Sequence, residues 1–271
     1  MEQVKGLRKM AAQQPIRRNT EVVAIGDVHG CASLLRQAIW PHLGSGAELI
    51  LLGDLIDRSP EPEGDRLVLE LVRELQSNPE AYGLAGVTVL RGNHEQMLLD
   101  ALAEEENGEA TDLWTWNGGN TEFLPVARDH QAWLEALPLT AIRGSYLFVH
   151  AGVRPGVPLA QQESDDLLWI RQPFLTRPHG LPYTVVHGHS ITKDRQIDHR
   201  PDRINLDTGA FRSGVLSSVA VQPGLARTIY GISTSPIVPT LGIWPFALHA
   251  CCALTHTPGP ATHAFRLSGW Q

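Results

Sequence analysis

Three times in its first hundred residues the chain repeats one unit: a short apolar run, a tight turn carrying an acid, an amide or a histidine, and an amphipathic segment. Val22-Val23-Ala24-Ile25 leads into Gly26-Asp27-Val28-His29-Gly30, and Leu49-Ile50-Leu51-Leu52 leads into Gly53-Asp54-Leu55-Ile56-Asp57-Arg58. Val87-Thr88-Val89-Leu90 leads into Arg91-Gly92-Asn93-His94-Glu95. Continuous apolar runs of this length read as strands covered on both faces. Each is followed by a helical stripe: Leu34, Leu35, Ala38 and Ile39; then Leu67, Val68, Leu71, Val72 and Leu75; then Met97, Leu98, Ala101 and Leu102. Strands alternating with helices predict an α/β sheet whose central strands run parallel.

The second half reads differently. Residues 111–140 are rich in Trp and Pro and predict helix in pieces, and four strand-like runs follow at 146–149, 184–186, 203–206 and 215–221. Loops rather than long helices separate these runs, which predicts a more antiparallel arrangement. Together the halves predict a layered α/β/β/α sandwich, with mixed sheets flanked by helices in a single domain spanning residues 21–221.

What lies outside that span has another character. Residues 1–20 are basic and polar with no apolar stretch behind them, so they read as an N-terminal arm and not as a secretory signal. Residues 222–271 contain no Asp, Glu or Lys and are fully charged only at Arg227 and Arg266, a Pro-rich tail of unknown role. Its least polar part, 237–254, is interrupted by Pro239, Gly242, Pro245 and His249, which argues against a membrane span. Vicinal Cys251 and Cys252 lack zinc spacing, and three cysteines in 271 residues cannot staple the fold, which points to a reducing, cytoplasmic setting. The formal charge of −7 excludes general affinity for nucleic acid.

In open α/β sheets ligands collect outside the carboxyl ends of the strands. That rule brings Asp27, His29, Asp54, Asn93 and His94 to one place, and His150 and His189 follow the runs at 146–149 and 184–186 in the same manner. Two Asp, one Asn and three His form a mixed oxygen and imidazole set, with His94 left over. Such a set suits manganese, iron or zinc better than calcium or magnesium alone. Six ligands are too many for one tetrahedral ion but suit two adjacent ions sharing a carboxylate, which can clamp both oxygens of an in-line phosphoryl displacement. Asp54 is the natural bridge. Cys31, beside Gly30 at a helix start, reads as packing and not as a nucleophile.

With those residues in view, the chain resembles the calcineurin-like metallophosphoesterases, in particular the bacterial and phage branch of the phosphoprotein phosphatase family. The matching motifs are GDVHG (26–30), GDLIDR (53–58), GNHE (92–95), HAGVRPG (150–156) and HGHS (187–190), with INLDTGA (204–210) also similar. The resemblance implies that Asp27, His29 and bridging Asp54 hold one ion, and that Asp54, Asn93, His150 and His189 hold the second. His189 is preferred to His187, which reads as a supporting or structural residue. It further implies His94 as the acid that protonates the leaving oxygen, Asp57 as its orienting partner, and Arg58, Asn93 and Arg171 as phosphate-binding groups. The nucleophile would be a metal-bridging hydroxide attacking in line, without a phosphoenzyme.

Two positions depart from the family pattern: Ser59-Pro60 stands where glycine often follows the arginine, and Ser190 where threonine often closes the histidine motif. Trp114-Thr115-Trp116-Asn117-Gly118-Gly119-Asn120 reads as a helix ending with its tryptophans buried, the alternative being a cleft wall for a base or peptide. The resemblance implies two divalent ions, manganese foremost with iron, zinc or magnesium as the others. The leading activity is hydrolysis of phosphoserine or phosphothreonine in proteins. The alternative is a diadenosine tetraphosphate hydrolase acting on nucleotide polyphosphates. A non-catalytic binding module would have lost some of these ligands, and all are present.

Overall fold

The computed structural model describes residues 20–104 and 108–223 and the backbone of 229–234. Residues 1–19 of the arm, Glu105 and Glu106, the 237–254 segment and Cys251–Cys252 lie outside the described residues. All described residues belong to one compact unit. Among them no helix is long and apolar enough to cross a membrane.

Strands β1 (Val22–Ile25), β2 (Glu48–Leu51) and β3 (Gly86–Val89) run parallel, each joined to the next through a helix, α1 (Ala32–Ile39) and α2 (Gly64–Ser77). After α3 (Asn93–Ala103), α4 (Glu109–Trp116) and α5 (Leu124–Ala136) comes a second sheet: β4 (Thr140–Arg143), β5 (Tyr146–Val149), β6 (Thr184–His187), β7 (Asp198–His199) and β8 (Arg203–Asn205). Its order is β4-β5-β6-β8-β7. Helix α6 (Ser164–Trp169) lies in the crossover from β5 to β6, and α7 (Ala210–Ser213) follows β8. The chain then returns to the first sheet through β9 (Leu216–Val221), antiparallel to β1, and β10 (Ile229–Thr234), antiparallel to β9. The first sheet is therefore ordered β10-β9-β1-β2-β3.

The second sheet is less antiparallel than the sequence predicts. β5, β6 and β8 form a parallel centre, and only the edge strands β4 and β7 reverse. The connections 150–183 and 188–202 are long enough to cross over without long helices, so loop-rich spacing did not mean hairpins. β10 also falls inside the 222–271 stretch that composition sets apart, and its pairing carries the first sheet past Val221. Ile229, Tyr230, Ile232 and Thr234 are strand formers, so a local signal for it existed.

Strand periodicity places the core between the sheets. Val22 and Ala24 of β1 meet Tyr146 and Phe148 of β5, together with Ile50, Val186, Ile204 and Val219. The alternate residues of β5, Leu147 and Val149, face the other way and pack with Leu167, Ile170 and Phe174. Both faces of β5 are thus covered, as its unbroken apolar run requires.

A polar contact crosses this apolar interior. Arg143 of β4 donates through Nε to Glu48 of β2, 2.8 Å from Oε2 and 3.0 Å from Oε1, with Nη2 on the same carboxylate. The guanidinium is 1% exposed and the carboxylate 8%. Glu48 can begin a buried strand because its charge is met there. Removing one partner strands the other in the interior, so Arg143→Ala is expected to lower unfolding free energy by about 3–5 kcal/mol. Replacing both with apolar residues of similar volume should lose less. Urea titration of the single and double variants checks this, and a change below about 1 kcal/mol in Arg143→Ala would show the pair to be dispensable.

Candidate active site

The carboxyl ends of β1 and β2 are stitched together. Asp54 O accepts from the backbone N–H groups of Val28 and His29, each at 2.9 Å, and Leu55 O accepts from Gly30 at 2.8 Å. The β3 end joins through Glu95, whose buried carboxylate accepts from the backbone of Asp54 (2.9 Å), Leu55 (2.7 Å) and Gly92 (2.8 Å). Around these bonds the backbone is in an uncommon state. His29, Asp54, Asp57, Arg58 and His189 all sit at left-handed φ, at +46°, +49°, +69°, +60° and +63°. Such conformations cost about 1–3 kcal/mol per residue and persist only where the surroundings over-determine them. Ser59 shares in this bracing: its single hydroxyl proton lies within reach of both Gly30 O (3.1 Å) and Glu61 O (2.9 Å).

Asp54 lies at the centre. Its Oδ2 is 3.6 Å from His29 Nε2 and 4.0 Å from His94 Nε2, and its Oδ1 is 3.4 Å from His150 Nε2. Asn93 Oδ1 is 2.8 Å from both His150 Nε2 and His189 Nδ1. Asp27 joins through Oδ2, which accepts from the His189 backbone at 2.9 Å. The donor atoms fall into two groups of ligand spacing that share Asp54: His29, Asp54 and His94, and Asp54, His150 and His189. His187 belongs to neither group; it is buried, its ring edge against Phe174 at 4.9 Å.

The electrostatics match a cation site. Burial, then Asp207 and Asp54, raises Asp27 well above the ordinary carboxylate range. Burial would raise Asp54 too, but His150, His94, His29 and His189 outweigh it and hold the carboxyl below its usual range. Burial pushes His29 and His189 down to about 3 and also lowers His150, so these rings are neutral and ready to ligate. The Nδ1–H groups of His29 and His150 are donated to the carbonyls of Ile56 (2.9 Å) and Leu52 (3.0 Å), which leaves Nε2 as a lone pair on each. For His150 that lone pair faces Asn93 Oδ1. Asp27 Oδ1 is buried without a hydrogen-bond partner. Buried carboxylates repelling one another, neutral imidazoles and facing lone pairs fit divalent ions.

His94 is the exception among the histidines. Burial lowers it, but Asp54 and Asp57 prevail and its pKa is raised. Its Nδ1 lies 2.6 Å from Asp57 Oδ2, and Asp57 is itself raised by burial. Asp57 also accepts from the indole N–H of Trp114, 3.0 Å from Oδ1 and 2.9 Å from Oδ2. Of the two tryptophans expected to be buried, Trp114 is 0% exposed and Trp116 is 89% exposed.

Asp27, His29, Asp54, Asn93, His94 and His189 line a cavity of about 450 Å³, with Arg58 and Arg171 on its wall. Arg58 donates from Nε to Asn117 O (2.9 Å), and its guanidinium lies 5.4 Å from the Phe211 ring centre. Asp207, Phe211 and Arg212 line the same cavity and were missed from the sequence; the INLDTGA motif flagged the first without a role. Cys31 is buried, and burial, then Glu61 and Asp65, pushes its thiol up to about 12, the state of a packing residue.

Comparison with known proteins follows the same lines. The sequence profile of the calcineurin-like phosphoesterase family matches residues 20–215. Serine/threonine-protein phosphatase 1 of Salmonella typhimurium is 29% identical over 74% of this chain and 92% of its own length. A symmetrical bis(5'-nucleosyl)-tetraphosphatase of Aromatoleum aromaticum is 33% identical, over 50% of this chain and 45% of its own. Among solved structures, a serine/threonine phosphatase of Saccharomyces cerevisiae superposes with a TM-score of 0.58, covering 85% of this chain and 84% of that one at 14% identity.

Proposed function

The chain belongs to the calcineurin-like phosphoesterases, and from that premise we propose that it hydrolyses phosphoserine and phosphothreonine esters in proteins in the cytoplasm. The observation that carries the choice of substrate is extent. Similarity to the Salmonella serine/threonine phosphatase runs through 92% of that protein, whereas similarity to the tetraphosphatase spans 45% of it. Charge beside the site supports the same reading. On the other side of Arg58 a second cavity, about 440 Å³, is lined by Glu61, Glu63 and Glu122, with Arg66. Arg66 is engaged by Glu63 and Glu70. Such a wall repels the polyphosphate of a second nucleotide and tolerates a peptide.

In this proposal Asp27, His29 and Asp54 would hold one divalent ion, and Asp54, Asn93, His150 and His189 the other, with manganese as the leading metal. When bound, such a pair supplies a water nucleophile deprotonated at neutral pH and neutralises developing charge. The chain's own groups do the rest. Arg58, Asn93 and Arg171 grip the phosphate oxygens and orient the ester, the arginines through planar forks that match phosphate geometry. His94 protonates the leaving serine or threonine oxygen through Nε2 while Asp57 keeps the ring oriented through Nδ1.

The test is a parallel assay with added manganese of a phosphoserine peptide, p-nitrophenyl phosphate and diadenosine tetraphosphate. The peptide is expected to exceed the dinucleotide in kcat/KM by on the order of tenfold or more. A dinucleotide preference of that size would transfer the assignment to polyphosphate hydrolysis.

A further inference from the structure

We infer that Trp114 is a positioning residue for the proton-donating His94–Asp57 pair, acting through its indole N–H on the Asp57 carboxylate. The inference rests on the reading of His94 as the acid. Three observations support it. The indole N–H straddles the carboxylate at 3.0 and 2.9 Å, so it fixes the rotation of the group about its own axis. Both side chains are sealed from water, Trp114 at 0% and Asp57 at 1% exposure, so no solvent molecule can replace that bond. Finally, the ring's seat is built for it. A Cβ at Gly119 would lie 2.2 Å from Trp114 Cε2, so the indole rests directly on bare backbone.

The same short segment also holds the neighbouring cation. Asn117 O accepts from Arg58 Nε at 2.9 Å, Gly118 O accepts from the Arg58 backbone at 3.3 Å, and a Cβ at Gly118 would reach Arg58 Cγ at 2.7 Å. Residues 114–119, remote in sequence from every strand-end motif, therefore brace Asp57 through a side chain and Arg58 through the main chain. Any buried indole N–H needs an acceptor, and the acceptor this one takes is the carboxylate that orients the acid.

The chemistry makes a discriminating test available. Ester cleavage forms a bond from phosphorus to water oxygen and breaks the bond to the leaving oxygen, which takes its proton from His94 Nε2. A poor leaving group, such as an alkoxide or unsubstituted phenolate, needs that proton, whereas 2,4-dinitrophenolate leaves without it. Trp114→Phe keeps most of the ring and removes the donor; replacement by benzothienylalanine keeps the full bicyclic shape and removes only the N–H. In either variant kcat for phenyl phosphate is expected to fall about 10- to 100-fold, with KM nearly unchanged. With 2,4-dinitrophenyl phosphate kcat should stay within about twofold.

His94→Asn must show the same split between the two substrates. If His94→Asn shows it and the benzothienylalanine protein does not, the positioning role of Trp114 is overturned while the acid stands. If His94→Asn shows no split, the acid and this inference fall together. Equal losses on both substrates in the Trp114 variants would reduce the residue to packing.

Discussion

Asp54→Asn should emerge from purification with fewer than one divalent ion per chain and with kcat/KM lowered on the order of 10³-fold or more. The reason is that this one side chain faces two ligand groups at once: Oδ2 toward His29 and His94, Oδ1 toward His150. Asparagine has the same shape, so packing in the buried floor is kept. It lacks the negative charge, and one oxygen becomes an N–H₂ donor turned toward lone pairs. The histidines around Asp54 would then face an uncharged amide. Elemental analysis of protein prepared in excess manganese checks the prediction, and two retained ions with wild-type turnover would show that Asp54 does not bridge. The loss should exceed that of any substitution confined to one ligand group, because the other group would keep its own carboxylate or amide.

The convergence of Asp27, His29, Asp54, Asn93 and His94 was legible because it follows from topology, whereas His150 and His189 end strands of the second sheet, whose parallel centre the loop-rich spacing hid, and were legible through their motifs. Residues that end successive parallel strands must meet at one edge of the sheet, whatever the helices between them do. The same rule says nothing of residues that reach the site from outside the strand ends. Trp114 belongs to a helix of the middle region, and its periodicity fits a buried ring whether or not the N–H has a task. Asp207 lies two residues past the end of β8, in a motif whose similarity was noted without a role for this residue. Glu48 and Arg143 are separated in sequence and paired only by the stacking of the two sheets, so neither showed a partner. The predicted start of β2 at Leu49 is one residue late for that reason. Strand boundaries elsewhere differ by a residue, as with β3, predicted at 87–90 and found at Gly86–Val89. What the sequence left dark is long-range side-chain pairing, which local pattern cannot encode.

His94→Asn is expected to retain both ions and lose about 10²- to 10⁴-fold in kcat on a phosphoserine peptide, the usual contribution of a positioned acid. The ring lines the cavity, and its Nδ1 is committed to Asp57 at 2.6 Å, which leaves Nε2 to deliver a proton. Asp54 and Asp57 raise its proton affinity against the effect of burial, so it carries a proton under conditions in which His29, His150 and His189 are neutral. One environment thus separates histidines of two kinds: imidazoles of lowered proton affinity beside the shared carboxylate, and one imidazole whose proton affinity Asp54 and Asp57 raise. His94 Nε2 also falls within ligand spacing of His29 and Asp54, so a ligand role is the competing account. The two accounts part on metal content. A ligand lost would lower the ion count, whereas an acid lost would leave the count at wild type and spare substrates that carry a good leaving group. Elemental analysis beside turnover of phosphoserine peptide and 2,4-dinitrophenyl phosphate separates them, and an unchanged kcat on the peptide would remove His94 from the reaction altogether.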